Sequence, residues 1–377
     1  MARDIIIGLD VGTSAVKIIV VENRKGAELH ALGTAQKTSN GLRHGYVIDQ
    51  DATSEAISNA AKEVERVSSI PVKHAYVSIG GVKLEALKAK GTVIVSRADN
   101  EIAEDDIKRA IAQAESNLSR TANRTIIHRI PISYKIDGEI VLGKPIGMKG
   151  EKLEADILFV VCLSQHLFDL VKSVERAGIS VDDIIAAPLA ASYAALNKHQ
   201  KEVGVVLVDI GAETTSLAVF EESSLLSLEV FPFGSNHITN DIALGLQISL
   251  EEAEDLKFNY VSDNQKRKLT DVIEARLDDI FELIGNHLKK IGRSGLLPAG
   301  VVITGGGANL SNLEEFAKNA LKLPVKIGTP AIPLKIHDKQ INNPKWLVAL
   351  GLSIYGSDVG PNIKISPILR WLKSFLP

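Results

Sequence analysis

The stretch Ile5–Glu22, IIIGLDVGTSAVKIIVVE, decides the fold. Two apolar, β-branched runs, Ile5–Leu9 and Val16–Val21, flank a short turn and predict a buried hairpin. Gly12 lets the backbone come close to a ligand, and Thr13 and Ser14 offer hydroxyls and N–H groups that can cradle phosphate oxygens. Asp10 is placed to hold the water shell of a Mg²⁺ ion, and Lys17 can reach the same anion as a point charge. Alone, the stretch fits an ordinary polar hairpin equally well. A second copy moves the balance.

That copy is Val203–Phe220, VGVVLVDIGAETTSLAVF. Asp209 stands to Gly211 as Asp10 stands to Gly12, with Thr214, Thr215 and Ser216 supplying hydroxyls before another apolar strand. A repeat about half a chain later predicts two similar lobes. Two such hairpins facing each other would grip a polyphosphate from both sides, each aspartate helping to hold one metal ion. A third element, Val301–Leu310 (VVITGGGANL), runs from a buried strand through Gly305, Gly306 and Gly307 to a helix expected from about Ser311 to Leu321. Glycines permit close backbone approach and a helix start supplies free N–H groups, so this loop suits the nucleoside side.

The remaining sequence bounds the class. A chain of 377 residues predicts two or three domains, and a net charge of −3 gives no general nucleic-acid footprint. The single cysteine, Cys162, sits in the apolar run Ile157–Leu163, expected as a strand that resumes the parent fold. It excludes a disulfide framework and favours a reducing cytoplasm. MARDIII enters the first strand directly, so no signal peptide is expected, and no apolar run reaches the ~18 residues of a membrane span. A strand at Glu28–Gln36, a helix at about Thr53–Val67 and a strand at His74–Ile79 complete a β-β-β-α-β unit. Lys83–Ala155 differs in texture, with a strand near Val93–Ser96, a helix at Glu101–Leu118 and a strand at Asn123–Ile136, and predicts a small inserted α+β domain.

Asp10-Val-Gly-Thr, Asp209-Ile-Gly-Ala-Glu-Thr-Thr and Gly305-Gly-Gly-Ala, in this order, resemble the actin-like ATPase superfamily of sugar kinases, chaperone ATPases and bacterial cytoskeletal proteins. Within it the chain is most similar to the FtsA family of bacterial cell-division proteins, over nearly its full length. The more specific segments are Ile130-Pro-Ile-Ser-Tyr-Lys-Ile-Asp-Gly138, Pro145-Ile-Gly-Met-Lys-Gly150 with Leu153-Glu154-Ala155, and Gly234-Ser-Asn-His-Ile-Thr-Asn-Asp-Ile-Ala243.

The resemblance implies an α/β, two-lobed actin-like fold of duplicated ribonuclease H-like units, with the family's α+β domain inserted in the first lobe. The expected division is 1–82 and 163–195 for the first lobe and 83–162 for the insert. The second-lobe core is expected at 196–235 and 299–355, its small subdomain at 236–298, a linker at 356–364 and a terminal helix at 365–377. ATP phosphates are expected at Gly12, Thr13, Ser14, Lys17, Gly211, Thr214 and Thr215, with Mg²⁺ near Asp10 and Asp209, through water. Gly305, Gly306, Gly307, Glu254 and Lys257 are expected around adenosine, although Glu254 and Lys257 equally form a solvated i,i+3 pair. Ala212-Glu213 replaces the Gly-Gly common in the second phosphate turn, and the place of Lys17 is shared with PilM, the actin-like protein of type IV pilus assembly.

The resemblance also implies a filament of copies of this chain that docks the C-terminal peptide of FtsZ, meets later division proteins and attaches to membrane lipid. Arg276, Lys289, Lys290 and Arg293 are expected at the FtsZ-tail surface; as bare sequence they are equally a solvated face. The terminal segment carries its own signal. Ser366 and Pro367 suit a helix start, and Ile368, Leu369, Trp371, Leu372, Phe375 and Leu376 share one helical face opposite Arg370 and Lys373. A core helix could show the same stripe, but Trp and Phe with cations opposite, after the expected linker 356–364, suit the bilayer interface at the cytoplasmic side of the cell membrane, many weak anchors acting together along a filament. No Ser-His-Asp set and no acid/base carboxylate pair is evident, so the chain is at most a slow ATPase, phosphoryl transfer needing mainly positioning and charge. A small-molecule kinase of the same fold and a PilM-like scaffold are the alternatives.

Overall fold

The computed structural model describes residues 4–24, 28–119, 122–258, 263–332, 334–336 and 339–359. The terminal helix expected at 365–377, with its six apolar residues, lies outside them.

The first lobe begins with β1 (Asp4–Val11), β2 (Ala15–Arg24) and β3 (Glu28–Thr38), an antiparallel meander. A two-stranded ribbon, β4 (Leu42–Arg43) and β5 (Tyr46–Val47), leads to α1 (Gln50–Ser68), and β6 (His74–Ile79) returns parallel to β1. The Asp49 carboxylate caps α1 by accepting from the Asp51 and Ala52 N–H groups. The alternation Ile57, Ala60, Ala61, Val64 puts one apolar face of α1 on the sheet.

The insert comprises β7 (Glu85–Ile94), α2 (Glu104–Ser116), β8 (Arg124–Ile136), β9 (Glu139–Val141) and β10 (Lys152–Leu163), in sheet order β7-β10-β8-β9. β10 explains how it is attached. Ile157, Phe159 and Val161 point into the insert's own core under α2, while Leu158, Val160 and Cys162 point into the first-lobe core. The run Ile157–Leu163 therefore stays in the insert's sheet and does not resume the parent sheet, as its apolarity suggests; it is apolar because both of its faces are covered.

After the insert come α3 (Ser164–Arg176), β11 (Ser180–Ala186) and α4 (Ala187–Ala195), and then α5 (Lys198–Val203) opens the second lobe. Its sheet is built from β12 (Val205–Ile210), β13 (Thr215–Glu221), β14 (Ser224–Phe231), β15 (Val301–Thr304) and β16 (Val325–Ile327), in order β14-β13-β12-β15-β16. Between β14 and β15 lie α6 (Ser235–Leu246), α7 (Leu250–Phe258) and α8 (Asp263–Lys290), and α9 (Leu313–Leu321) precedes β16. Val206, Val208 and Ile210 face a core under α6 and α8, while Val205 and Leu207 face α4 on the other side.

The chain then crosses back. β17 (Leu334–Ile336) pairs with β3 in the first-lobe sheet, and α10 (Leu347–Val359) packs on β1 and α4. The end of the expected second-lobe stretch 299–355 thus belongs to the first lobe. α10 also runs through Gly356–Asp358, where a linker is expected. Gly356 is no breaker here: a Cβ there would lie 2.5 Å from the Tyr76 ring, so it permits close helix–sheet contact. α4 and α10 form the layer between the two sheets.

Candidate functional site

The two hairpin turns have the same construction. In the first, the Gly12 N–H donates to the Ala15 carbonyl at 3.1 Å; in the second, the Gly211 N–H donates to the Thr214 carbonyl at 2.8 Å. In register, Asp10 faces Lys17 across β1–β2 as Asp209 faces Ser216 across β12–β13. Both turns open onto one cavity of about 570 Å³ between the lobes. That volume lies in the usual range for a small-molecule site.

On the first-lobe wall, Lys17 Nζ lies 3.0 Å from Asp10 Oδ2, and Ser78 Oγ donates to Asp10 Oδ1 at 2.8 Å. Thr13 Oγ1 accepts from the Gly45 N–H at 3.1 Å, while Ser14 lines the cavity. On the second-lobe wall the carbonyls of Gly211 and Ala212 accept from the Ser235 and Asn236 N–H groups at 2.9 and 2.8 Å. The start of α6 thus clamps the turn from behind. Burial, with the Asp10 carboxylate facing it, pushes the Asp209 carboxyl up to about 6, and Lys17 only partly offsets this. Two carboxylates converging from opposite lobes on a cavity fit a divalent cation. Among the described residues no group of three or more His, Cys, Asp or Glu side chains could cage a metal.

The third wall is the glycine loop. Gly305 (φ 86°) carries no side chain because a Cβ would lie 2.2 Å from Asp209 Oδ1 and 2.4 Å from the Ile210 carbonyl oxygen. Gly306 faces open space and lines the cavity with Gly305. Gly307 does not: it packs against the Ile210 side chain. A short 3₁₀ turn, Gly306–Asn309, intervenes before α9, so the helix starts at Leu313 and not at Ser311.

Two more expected ligands are placed elsewhere. Thr215 is fully buried in β13, its hydroxyl without a partner, because strand alternation gives the cavity to Thr214 and Ser216. Lys257 is also buried; its ammonium donates to Thr239 Oγ1 at 2.8 Å and to Glu254 at 2.6 Å, joining α7 to α6. Burial lowers its pKa against the pull of Glu254. Glu254 itself reaches the cavity, together with Phe258.

The structure adds Ser78, Asn309 and Lys345, none of them a candidate from sequence. Lys345 has its pKa pushed down by burial and by nearby Lys17. Of the four cations expected to dock a partner peptide, Arg276 is engaged with Asp241 at 2.7 Å and Asp279 at 2.9 Å. Arg293 is held by Glu221 at 2.6 Å, whereas Lys289 and Lys290 are exposed.

Comparison with known proteins decides the family. The family model for cell division protein FtsA matches residues 206–351, and that for the SHS2 domain inserted in FtsA matches residues 81–161. The cell division protein FtsA of Pseudomonas aeruginosa is 32% identical over 374 residues, 93% of this chain and 89% of that protein. The chain belongs to the FtsA family. FtsA of Bacillus subtilis is likewise 32% identical, over 93% of this chain and 83% of its own. Among solved structures, a PilM–PilN type IV pilus biogenesis complex superposes with a TM-score of 0.71 at 20% identity, covering 94% of this chain and 99% of that one. MreB5 of Spiroplasma citri bound to ADP gives 0.56 at 14% identity, over 96% and 98%. Likeness at that level establishes the two-lobed actin-like fold for this FtsA-family chain, and the PilM resemblance stops there.

Proposed function

We propose that this FtsA-family chain binds ATP with Mg²⁺ in the interlobe cavity, polymerises, and anchors the FtsZ ring to the cytoplasmic face of the cell membrane at the division site. The observation that supports it most is the pair of matched turns, Gly12–Ser14 and Gly211–Thr214, opening on one cavity with Asp10 and Asp209 opposed. Backbone N–H groups of both turns, with Lys17 and Lys345, would hold the phosphates. Asp10 and Asp209 would hold Mg²⁺ through water, and the ion would neutralise charge between the phosphates. Gly305, Gly306, Glu254 and Phe258 would enclose the nucleoside. Nucleotide bound by MreB5 of the same fold is consistent with this.

Membrane attachment rests on the sequence pattern of Ser366–Pro377; among the described residues no helix is long and apolar enough to cross a membrane. FtsZ-tail docking falls to the exposed Lys289 and Lys290 in the last turn of α8, since Arg276 and Arg293 already have acidic partners. Co-sedimentation with anionic liposomes in the presence of Mg²⁺-ATP tests the tether. The full chain should pellet and a variant lacking Ser366–Pro377 should not; equal pelleting sinks the tether. Retention of an FtsZ C-terminal peptide but not a PilN N-terminal peptide is expected, and the reverse would favour a pilus scaffold.

A further inference from the structure

We propose that Glu213, the acidic residue in the second phosphate turn, is a latch that holds the two lobes together and sets how long nucleotide stays bound. The inference rests on the nucleotide reading of the cavity. His44 and Gly45 join β4 to β5 with positive φ, 48° and 80°, so their consecutive N–H groups project from one tight turn. Each is taken by a side chain from a different lobe. The Gly45 N–H donates to Thr13 Oγ1 of the first turn at 3.1 Å, and the His44 N–H donates to Glu213 Oε2 of the second turn at 2.6 Å. One two-residue turn therefore touches both phosphate turns at once.

The mount is rigid on the first-lobe side. A Cβ on Gly45 would lie 2.6 Å from the Gly81 N, and the Ile48 and Asp49 N–H groups close on the Gly41 carbonyl at 2.9 and 3.1 Å. Glu213 itself does not line the nucleotide cavity. It faces a second chamber of about 500 Å³, with His44 and His237, and Asn236 and Glu254 border both chambers. The Glu213–His44 bond thus spans the gap between lobes where the two spaces adjoin, and parting the lobes requires breaking it. Because Gly211 and Ala212 are clamped to the start of α6, movement of Glu213 carries the phosphate turn with it. A glycine at this position, which would approach phosphate more freely, could make no such bond.

A charge-assisted hydrogen bond between partly exposed groups corresponds to roughly tenfold in an equilibrium or release rate. Release of a fluorescent ATP analogue from the full chain, chased with excess Mg²⁺-ATP in a stopped-flow instrument, should therefore be about tenfold faster for Glu213→Ala. Glu213→Gln, which keeps an acceptor oxygen, should fall between, and both variants should melt within about 2 °C of wild type. Unchanged release in Glu213→Ala overturns the latch, as does faster release that merely tracks a lowered melting temperature. Hydrogen exchange of the nucleotide-free protein gives a reading independent of nucleotide: the His44 amide should exchange about tenfold faster in Glu213→Ala, with β1 amides unaltered. Unaltered exchange at His44 also overturns the latch. If the wild-type chain takes up no analogue while His44 loses protection in the variant, the interlobe bond stands and the nucleotide reading, with the residence role built on it, falls.

Discussion

Asp209→Asn tests the electrostatics of the site. Burial, with Asp10 facing it, pushes the Asp209 carboxyl up from the ordinary 3.8 to about 6. A carboxyl with a raised folded-state value takes up its proton in the folded chain first, so between pH 3.8 and about 6 the group subtracts stability as pH rises. Above that window the full penalty stands, roughly 3 kcal/mol. The asparagine has no charge to desolvate, so the empty variant should be more stable than wild type at pH 7.5 by up to that amount. The gain should shrink steadily below pH 6 and vanish near pH 4. Titrating groups remote from Asp209 are common to both proteins and cancel in the difference. Urea unfolding in EDTA at pH 7.5, 5.5 and 4.5 measures it. The same variant should lose most of the stabilisation that Mg²⁺ with an ATP analogue confers on wild type. An empty variant less stable than wild type at pH 7.5 refutes the reasoning, since Asp209 would then be a structural acceptor and not a strained metal ligand.

Three further outcomes follow from the same geometry. Gly305→Ala puts a methyl 2.2 Å from Asp209 Oδ1 at a φ of 86°, and should cost about 3 kcal/mol or more in unfolding experiments and abolish nucleotide binding. Asp106 is buried in the insert; burial would raise its carboxyl, but donation from the Ala103 and Ser96 N–H groups, Arg109 and the Ser96 hydroxyl holds it down at about 2. Asp106→Ala should therefore loosen the insert by about 2 kcal/mol, read as faster hydrogen exchange in α2, and the wild-type contribution should disappear as pH falls from about 4 towards 2. His128, which accepts from the Ala186 N–H at 3.1 Å, and His166 and His287 are all held near 4 by burial. The unfolded chain gains protons below 6.5 that the folded chain refuses, so stability should drop between pH 6.5 and 4, and His128→Gln should make that fall shallower.

The hairpins were legible in sequence because β-branched runs around Asp-x-Gly leave few other structures open, and the register of β1–β2 and β12–β13 follows from them. β7 was legible only at its end. Glu85-Ala-Leu-Lys-Ala-Lys90 is composed of helix-forming residues, and pairing along β10 overrides that preference. α10 misled differently: Leu347–Tyr355 is apolar on every side because β1, β6 and α4 enclose it, so no stripe reveals which lobe it serves. At the site, residue types were readable and side-chain directions were not. Choosing Thr215 over Ser216 needed the strand's phase, and finding Lys257 inside needed the packing of α7 on α6. Lys345 lies in Asn343-Pro-Lys-Trp346, which carries no phosphate-binding pattern, and reaches the cavity only through the fold's return to the first lobe.

The central claim is that both turns grip one nucleotide. A crystal structure of the chain with Mg²⁺ and a non-hydrolysable ATP analogue tests it most directly. The phosphates should lie within hydrogen-bonding reach of the Thr13 and Ser14 N–H groups on one side and the N–H groups of Ala212–Thr214 on the other, with the ion between Asp10 and Asp209. Phosphates held by one turn alone, or a nucleotide bound outside this cavity, would contradict the account.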